Sequence, residues 1–151
     1  MPSLSTFRTV PYRSTELYQL ILDVESYPEF LPFCRRATVL KREVTPEKTL
    51  LIVEMEVGFG SLREQYTSEI IGDPRNRIIR IRALEGPFRF LRGLWRFEGV
   101  HDYSTSILFE IEYAFKSRLL GLMAGKVFDR VFRSMVAAFE DRAKSVLKSD
   151  G

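Results

Sequence analysis

The chain has 151 residues, 45% hydrophobic and 28% charged, and its 23 Lys and Arg against 20 Asp and Glu leave a net charge of only +3, which demands no nucleic-acid partner. One cysteine and one histidine exclude an internal disulfide and a Cys- or His-based metal cluster, so neither a metal nor a catalytic cofactor is expected. No run approaches the roughly 20 apolar residues that span a bilayer, and the first ten residues lack a secretory apolar stretch, so a cytoplasmic protein with at most peripheral contact at the inner membrane is expected.

The length allows a sizeable core in one domain, expected over residues 1–148 with a polar tail at 149–151. Residues 3 to 10, SLSTFRTV, alternate as a strand does. Ser14 then precedes TELYQLILDV, whose Leu17, Leu20, Ile21 and Val24 fall at helical spacing. A helix over about 15 to 24 with Ser14 as N-cap follows. SYPEFLPFC places Tyr27, Phe30, Leu31 and Phe33 around two prolines. Pro28 starts a short helix there and Pro32 ends it, which makes these four side chains a lid in search of a partner surface.

From Arg35 to Lys116 five or six extended segments are broken by the turn signals TPEK, GFG, GDPRN, EGP and DYST, the pattern of an antiparallel meander. Leu51, Val53, Met55, Val57 and Phe59 share one face, and Ile107, Phe109, Ile111, Tyr113 and Phe115 repeat the pattern. Most Glu residues, with Glu54, Glu56, Glu110 and Glu112 the clearest cases, fall on the opposite phase and are expected on the solvated face, and His101 is expected at the surface.

Residues 86 to 96, GPFRFLRGLWR, read as a basic and apolar loop at the mouth of the fold. Phe88, Phe90 and Leu91 alternate there with Arg89, Arg92 and Arg96, a mixture that suits an anionic membrane and equally suits RNA. From Leu119 to Leu147 a long helix follows. Leu120, Met123, Val127, Phe128, Val131, Phe132, Met135, Phe139 and Val146 form its inward stripe, over roughly 40 Å. Gly121 and Gly125 in its first turns are expected to form a mobile gate.

This order predicts an α+β fold in which a curved antiparallel sheet of six to seven strands wraps the last helix, with two short helices after the first strand. The same inward pattern serves a filled core or a hollow one. YPEFLPFC, GFGSLREQYTSEI, GPFRFLRGLWRFE and FEIEYAFKSRLLGLMAGKVFDRVFRSMVAAFEDRAK resemble the coenzyme Q-binding branch of the START-like, polyketide cyclase/dehydrase superfamily, over about Leu4 to Lys144.

That resemblance implies a helix-grip fold and a non-enzymatic carrier of ubiquinone or a similar isoprenoid lipid. Ribosome association, known in the same branch, is the alternative, and cyclase or aromatase catalysis is a third. The implied ligand cavity is lined on the sheet by Val53, Met55, Val57, Phe59, Tyr66, Ile79, Ile81, Trp95, Phe97, Phe109, Ile111 and Tyr113. Phe128, Phe132, Met135 and Phe139 line it on the helix. Tyr27, Phe30, Leu31, Phe33, Phe88, Phe90, Leu91, Gly121 and Gly125 are the implied mouth, and Arg89, Arg92 and Arg96 the implied membrane-facing basic groups.

Overall fold

In the computed structural model, which describes residues 3–147, strand β1 (Ser3–Val10) leads into helix α1 (Ser14–Leu22), a 3₁₀ turn over Val24–Ser26 and the short helix α2 (Tyr27–Phe30). Six strands follow: β2 (Cys34–Val44), β3 (Thr49–Phe59), β4 (Leu62–Asp73), β5 (Ile78–Glu85), β6 (Phe88–His101) and β7 (Ser104–Phe115). Helix α3 (Arg118–Val146) completes the order. The polar tail expected at 149–151 lies outside the described residues.

Each turn signal joins neighbours, so β2 to β7 form a meander, and β1 crosses to pair antiparallel with β7 in the order β1-β7-β6-β5-β4-β3-β2. Bulges interrupt the register in β2, between Thr67 and Ser68, and twice in β6. Bulges add bend and twist, and the sheet curls around α3 as the helix-grip reading expects. Ser117 caps α3 by accepting from the Leu120 amide at 3.1 Å, which ties off one of the four unpaired amides at a helix start.

Phe132, Val136, Phe139 and Ala143 press the C-terminal half of α3 onto Trp95, Phe97 and Phe109. Arg8 reaches Glu140 at 2.6 Å, and the Arg142 guanidinium sits 5.0 Å over the Phe30 ring. These contacts fix one half of α3 to β1 and α2.

Several expectations need correction. Helix α1 begins at Ser14 itself, with Arg13 at the N-cap position and no side-chain cap, and it ends at Leu22. Residues 88–96 are not a loop but the first part of strand β6. Met123 and Val146 are 60% and 50% exposed rather than inward. Ala124, one residue on, takes the inward place, because the stripe through Leu120, Val127, Val131 and Phe132 passes through 124 at helical spacing. No helix among the described residues is long and apolar enough to cross a membrane.

Candidate functional site

Between the sheet and the N-terminal two-thirds of α3 lies a cavity of about 200 Å³. Its α3 wall runs from Leu120 to Phe139, about 28 Å of helix, so the space is long and thin. One end is closed by a stack: Trp95 on Phe109 with ring centres 3.9 Å apart, Phe109 on Phe132 at 5.1 Å, and Phe139 edge-on to Trp95 at 5.5 Å. The other end carries Phe88 stacked on Phe115 at 5.0 Å, with Tyr66 edge-on to Phe88 at 5.5 Å. The half-exposed lining residues Phe33, Gly58, Glu64 and Leu120 form the rim.

Met55, Val57, Tyr66, Ile81, Trp95, Phe109, Ile111, Phe128, Phe132, Met135 and Phe139 line this space, as do Tyr27, Leu31, Phe33, Phe88 and Leu91. Val53, Ile79, Phe97 and Tyr113 do not. The reason for Ile79 and Phe97 is helix α1, which packs against β5 and β6 and sets Tyr18 edge-on to Phe97 at 6.5 Å. Val53 is fully buried in the same packed cluster, and Phe97 borders only a separate void of about 30 Å³, room for about one water. Tyr113 is covered by Phe128, stacked at 3.9 Å. The Phe59 side chain lies outside the described residues.

The mouth also differs from expectation. The bulge between Phe88 and Phe90 turns the strand so that Phe88 and Leu91 face in, opposite Phe115 and Tyr113, while Phe90 pairs with Ala114 on the outer face. There the Arg92 guanidinium covers the Phe90 ring at 4.7 Å and its Nε donates to Glu112 at 3.0 Å. Arg92 and Arg96 therefore sit on the convex face away from the cavity, and only Arg89, the exposed extra residue of the bulge, stays at this end. Phe30 packs on Tyr27 and Phe139 from outside the cavity. A Cβ added at Gly121 would meet Phe115 at 3.8 Å and one at Gly125 would meet nothing within 4 Å, so neither glycine is there to admit a close neighbour.

Sequence reasoning missed Cys34, Glu64, Ser68 and Ile70 as lining residues. The signal was present, because Glu64, Ser68 and Ile70 share the phase of Tyr66 along β4; Glu64 is an exception to the outward placement of most Glu residues. Ser68 donates to the Arg82 carbonyl at 3.4 Å, Cys34 to the Arg36 carbonyl at 3.8 Å, and the Tyr27 hydroxyl to the Ile21 carbonyl. Glu64, Tyr66 and Trp95 are left as the lining side chains whose carboxylate, hydroxyl or indole N–H has no partner among the described residues. Burial pushes the Tyr66 hydroxyl up to about 12 and the Cys34 thiol up to about 11, so both are neutral at ordinary pH.

The chain is similar to known proteins over nearly its whole length. Ribosome association toxin RatA of Escherichia coli K12 is 35% identical over 150 residues, covering 97% of this chain and 89% of that one. The mitochondrial coenzyme Q-binding protein COQ10 of Dictyostelium discoideum is 31% identical over 144 residues, 94% of this chain and 69% of that one. The crystal structure of the Zhui aromatase/cyclase from Streptomyces sp. R1128 superposes with a TM-score of 0.80 at 19% identity, over 95% of this chain and 93% of that one, a likeness of fold. Residues 10–140 match the family described as polyketide cyclase / dehydrase and lipid transport, and with that match the chain belongs to this family.

Proposed function

We propose that the protein binds a hydrophobic ligand, ubiquinone or a similar isoprenoid lipid, in the cavity between the sheet and α3. It would act as a non-enzymatic carrier or chaperone that supports respiratory electron transport or quinone biosynthesis. The observation that carries this reading is the cavity's chemistry: a long, thin, aromatic and aliphatic space with very few free polar atoms. Apolar walls of this kind reward burial of hydrocarbon by about 0.8 kcal/mol per CH₂ taken from water.

The size refines the proposal. An apolar cavity of about 150 Å³ takes one benzene ring, so about 200 Å³ holds a substituted ring or about one to two isoprene units and the rest of a long tail stays outside. A quinone carbonyl only accepts hydrogen bonds, and the Tyr66 hydroxyl is a protonated donor without a partner among the described residues. We assign it to the head group. COQ10, a relative covering 94% of this chain, is named for coenzyme Q binding, which supports the ligand class.

Ribosome association is the second reading, favoured by the 35% identity to a protein named for it. Catalysis is a third, and the pairing of Glu64 with Tyr66 in one cavity is what favours it. Organic extraction of the purified protein decides between them. Co-purifying quinone is expected; co-sedimentation with ribosomes and no extractable lipid would replace the carrier reading by the second.

A further inference from the structure

The first turns of α3 carry apolar side chains on two sides. Leu120, Ala124 and Val127 line the cavity, while Leu119, Leu122 and Met123 stand 68%, 66% and 60% exposed. Positions 119, 122 and 123 are spaced i, i+3 and i+4, so the three form one strip of the helix surface, distinct from the strip facing the cavity. Single exposed leucines are ordinary on a protein surface. Three large apolar side chains within five residues, beside the rim of a cavity, form a patch of the kind that marks an interaction site.

Along the chain, the charge on either side of the patch has one sign. Between Glu112 and Asp129 the chain has Lys116, Arg118 and Lys126 and no Asp or Glu. Lys116 and Arg118 are exposed, as is Arg89, whose neighbour Phe88 pairs with Phe115 at the end of β7 just before α3 begins. None of these three makes an ion pair among the described residues. Further along the same strip of α3 comes Arg130, also exposed.

We propose that this end of the molecule docks on an anionic phospholipid bilayer. Leu119, Leu122 and Met123 enter the acyl boundary, Lys116, Arg118 and Arg89 meet headgroup phosphates, and the rim at Leu120 is thereby turned toward the lipid. Apolar side chains flanked by cations suit that interface, where the tips reach phosphate and the aliphatic parts stay dry. RNA fits less well, because the exposed side chains are Leu, Leu and Met, without a ring on which a base could stack. A second copy fits less well because a two-fold contact through the patch would set Lys116 and Arg118 against their own kind. The inference deepens the lipid-carrier reading and rests on it for its purpose: a tail too large for the cavity never has to enter water.

The test is flotation of the full chain with vesicles of phosphatidylcholine alone and of phosphatidylcholine with one-third phosphatidylglycerol. The wild type is expected to float with the anionic vesicles and to do so less as salt rises. The triple variant Leu119→Ser, Leu122→Ser, Met123→Ser should lose at least about tenfold in binding, with an unchanged circular dichroism spectrum because the three side chains are exposed. Lys116→Glu with Arg118→Glu should lose binding to the anionic vesicles.

Either variant floating like the wild type overturns the proposal, as does a wild type that stays unfloated. Concentration-dependent dimerisation that the triple variant abolishes, or binding to an RNA homopolymer through the same residues without vesicle binding, also overturns it. Extraction of bound lipid from the same preparations is read separately. Vesicle binding without extractable quinone would remove the quinone reading and leave this face standing, and extractable quinone without vesicle binding would remove the face alone.

Discussion

Tyr66 illustrates how one buried phenol serves two observables. If its hydroxyl donates to the head group, Tyr66→Phe should weaken quinone binding by roughly three- to tenfold, the worth of one hydrogen bond. The fold should be unharmed, because that hydroxyl has no protein partner among the described residues. Equilibrium titration with a short-chain quinone, followed by tryptophan quenching at Trp95, measures it. The second observable is alkaline stability. Burial raises Tyr18 and Tyr66 from 10.0 to about 12 and Cys34 from 9.0 to about 11, and raises Tyr27 and Tyr113 as well. A folded-state value above the unfolded one means the folded state holds its proton longer. The contribution of these groups is therefore complete below about pH 9 and is lost as pH rises through 11 to 12. Urea midpoints are expected to be flat from pH 7 to 9 with respect to these groups and to fall steadily above it, and a midpoint still level at pH 11.5 would contradict the burial of these phenols.

At the scale of elements, two glycines separate turn geometry from helix propensity. Gly86 joins β5 to β6 with φ +136°, and a Cβ there would stand 2.5 Å from the Tyr66 Cβ and 3.0 Å from its Cα. Gly86→Ala should cost about 1–3 kcal/mol and disturb the Tyr66 wall as well. Gly125 lies inside α3 with open space around it, so Gly125→Ala should stabilise by about 1 kcal/mol, read as a raised Tm. Expectation and structure part company for identifiable reasons in these elements. Period two along β3 and β7 was enough to orient those strands, and the same reasoning carried through β4 would have found Glu64. The bulge in β6 could not be read this way. It is one unpaired residue, invisible to a periodicity of two, and it reverses the side taken by Phe90 and Arg92. Met123 against Ala124 is likewise a shift of one position along a stripe whose apolar residues run on both sides.

Across the whole molecule, the helix grip was legible because turn residues punctuate the strands and a 29-residue helix follows them, an order with few packed solutions. The extent of the cavity was not legible, because it is set by what fills the concave face. Helix α1 covers Ile79 and Phe97, while the first turns of α3 leave room over Met55, Ile81 and Ile111. Phe132 stands at the floor of that room, stacked on Phe109. Phe132→Asp should abolish ligand retention, since an unpaired buried carboxylate costs several kcal/mol, and retention of extractable lipid by a folded variant would place the ligand elsewhere. The ladder between β1 and β7 has a consequence for biosynthesis. Thr9 faces Ser106, 97 residues later in the chain, so at about 5–20 residues per second the first strand waits some 5–20 s for its partner to be made. During that interval the edge of β1 is open to pairing with other nascent chains, and shortening the wait or shielding that edge should raise the yield of correctly closed protein.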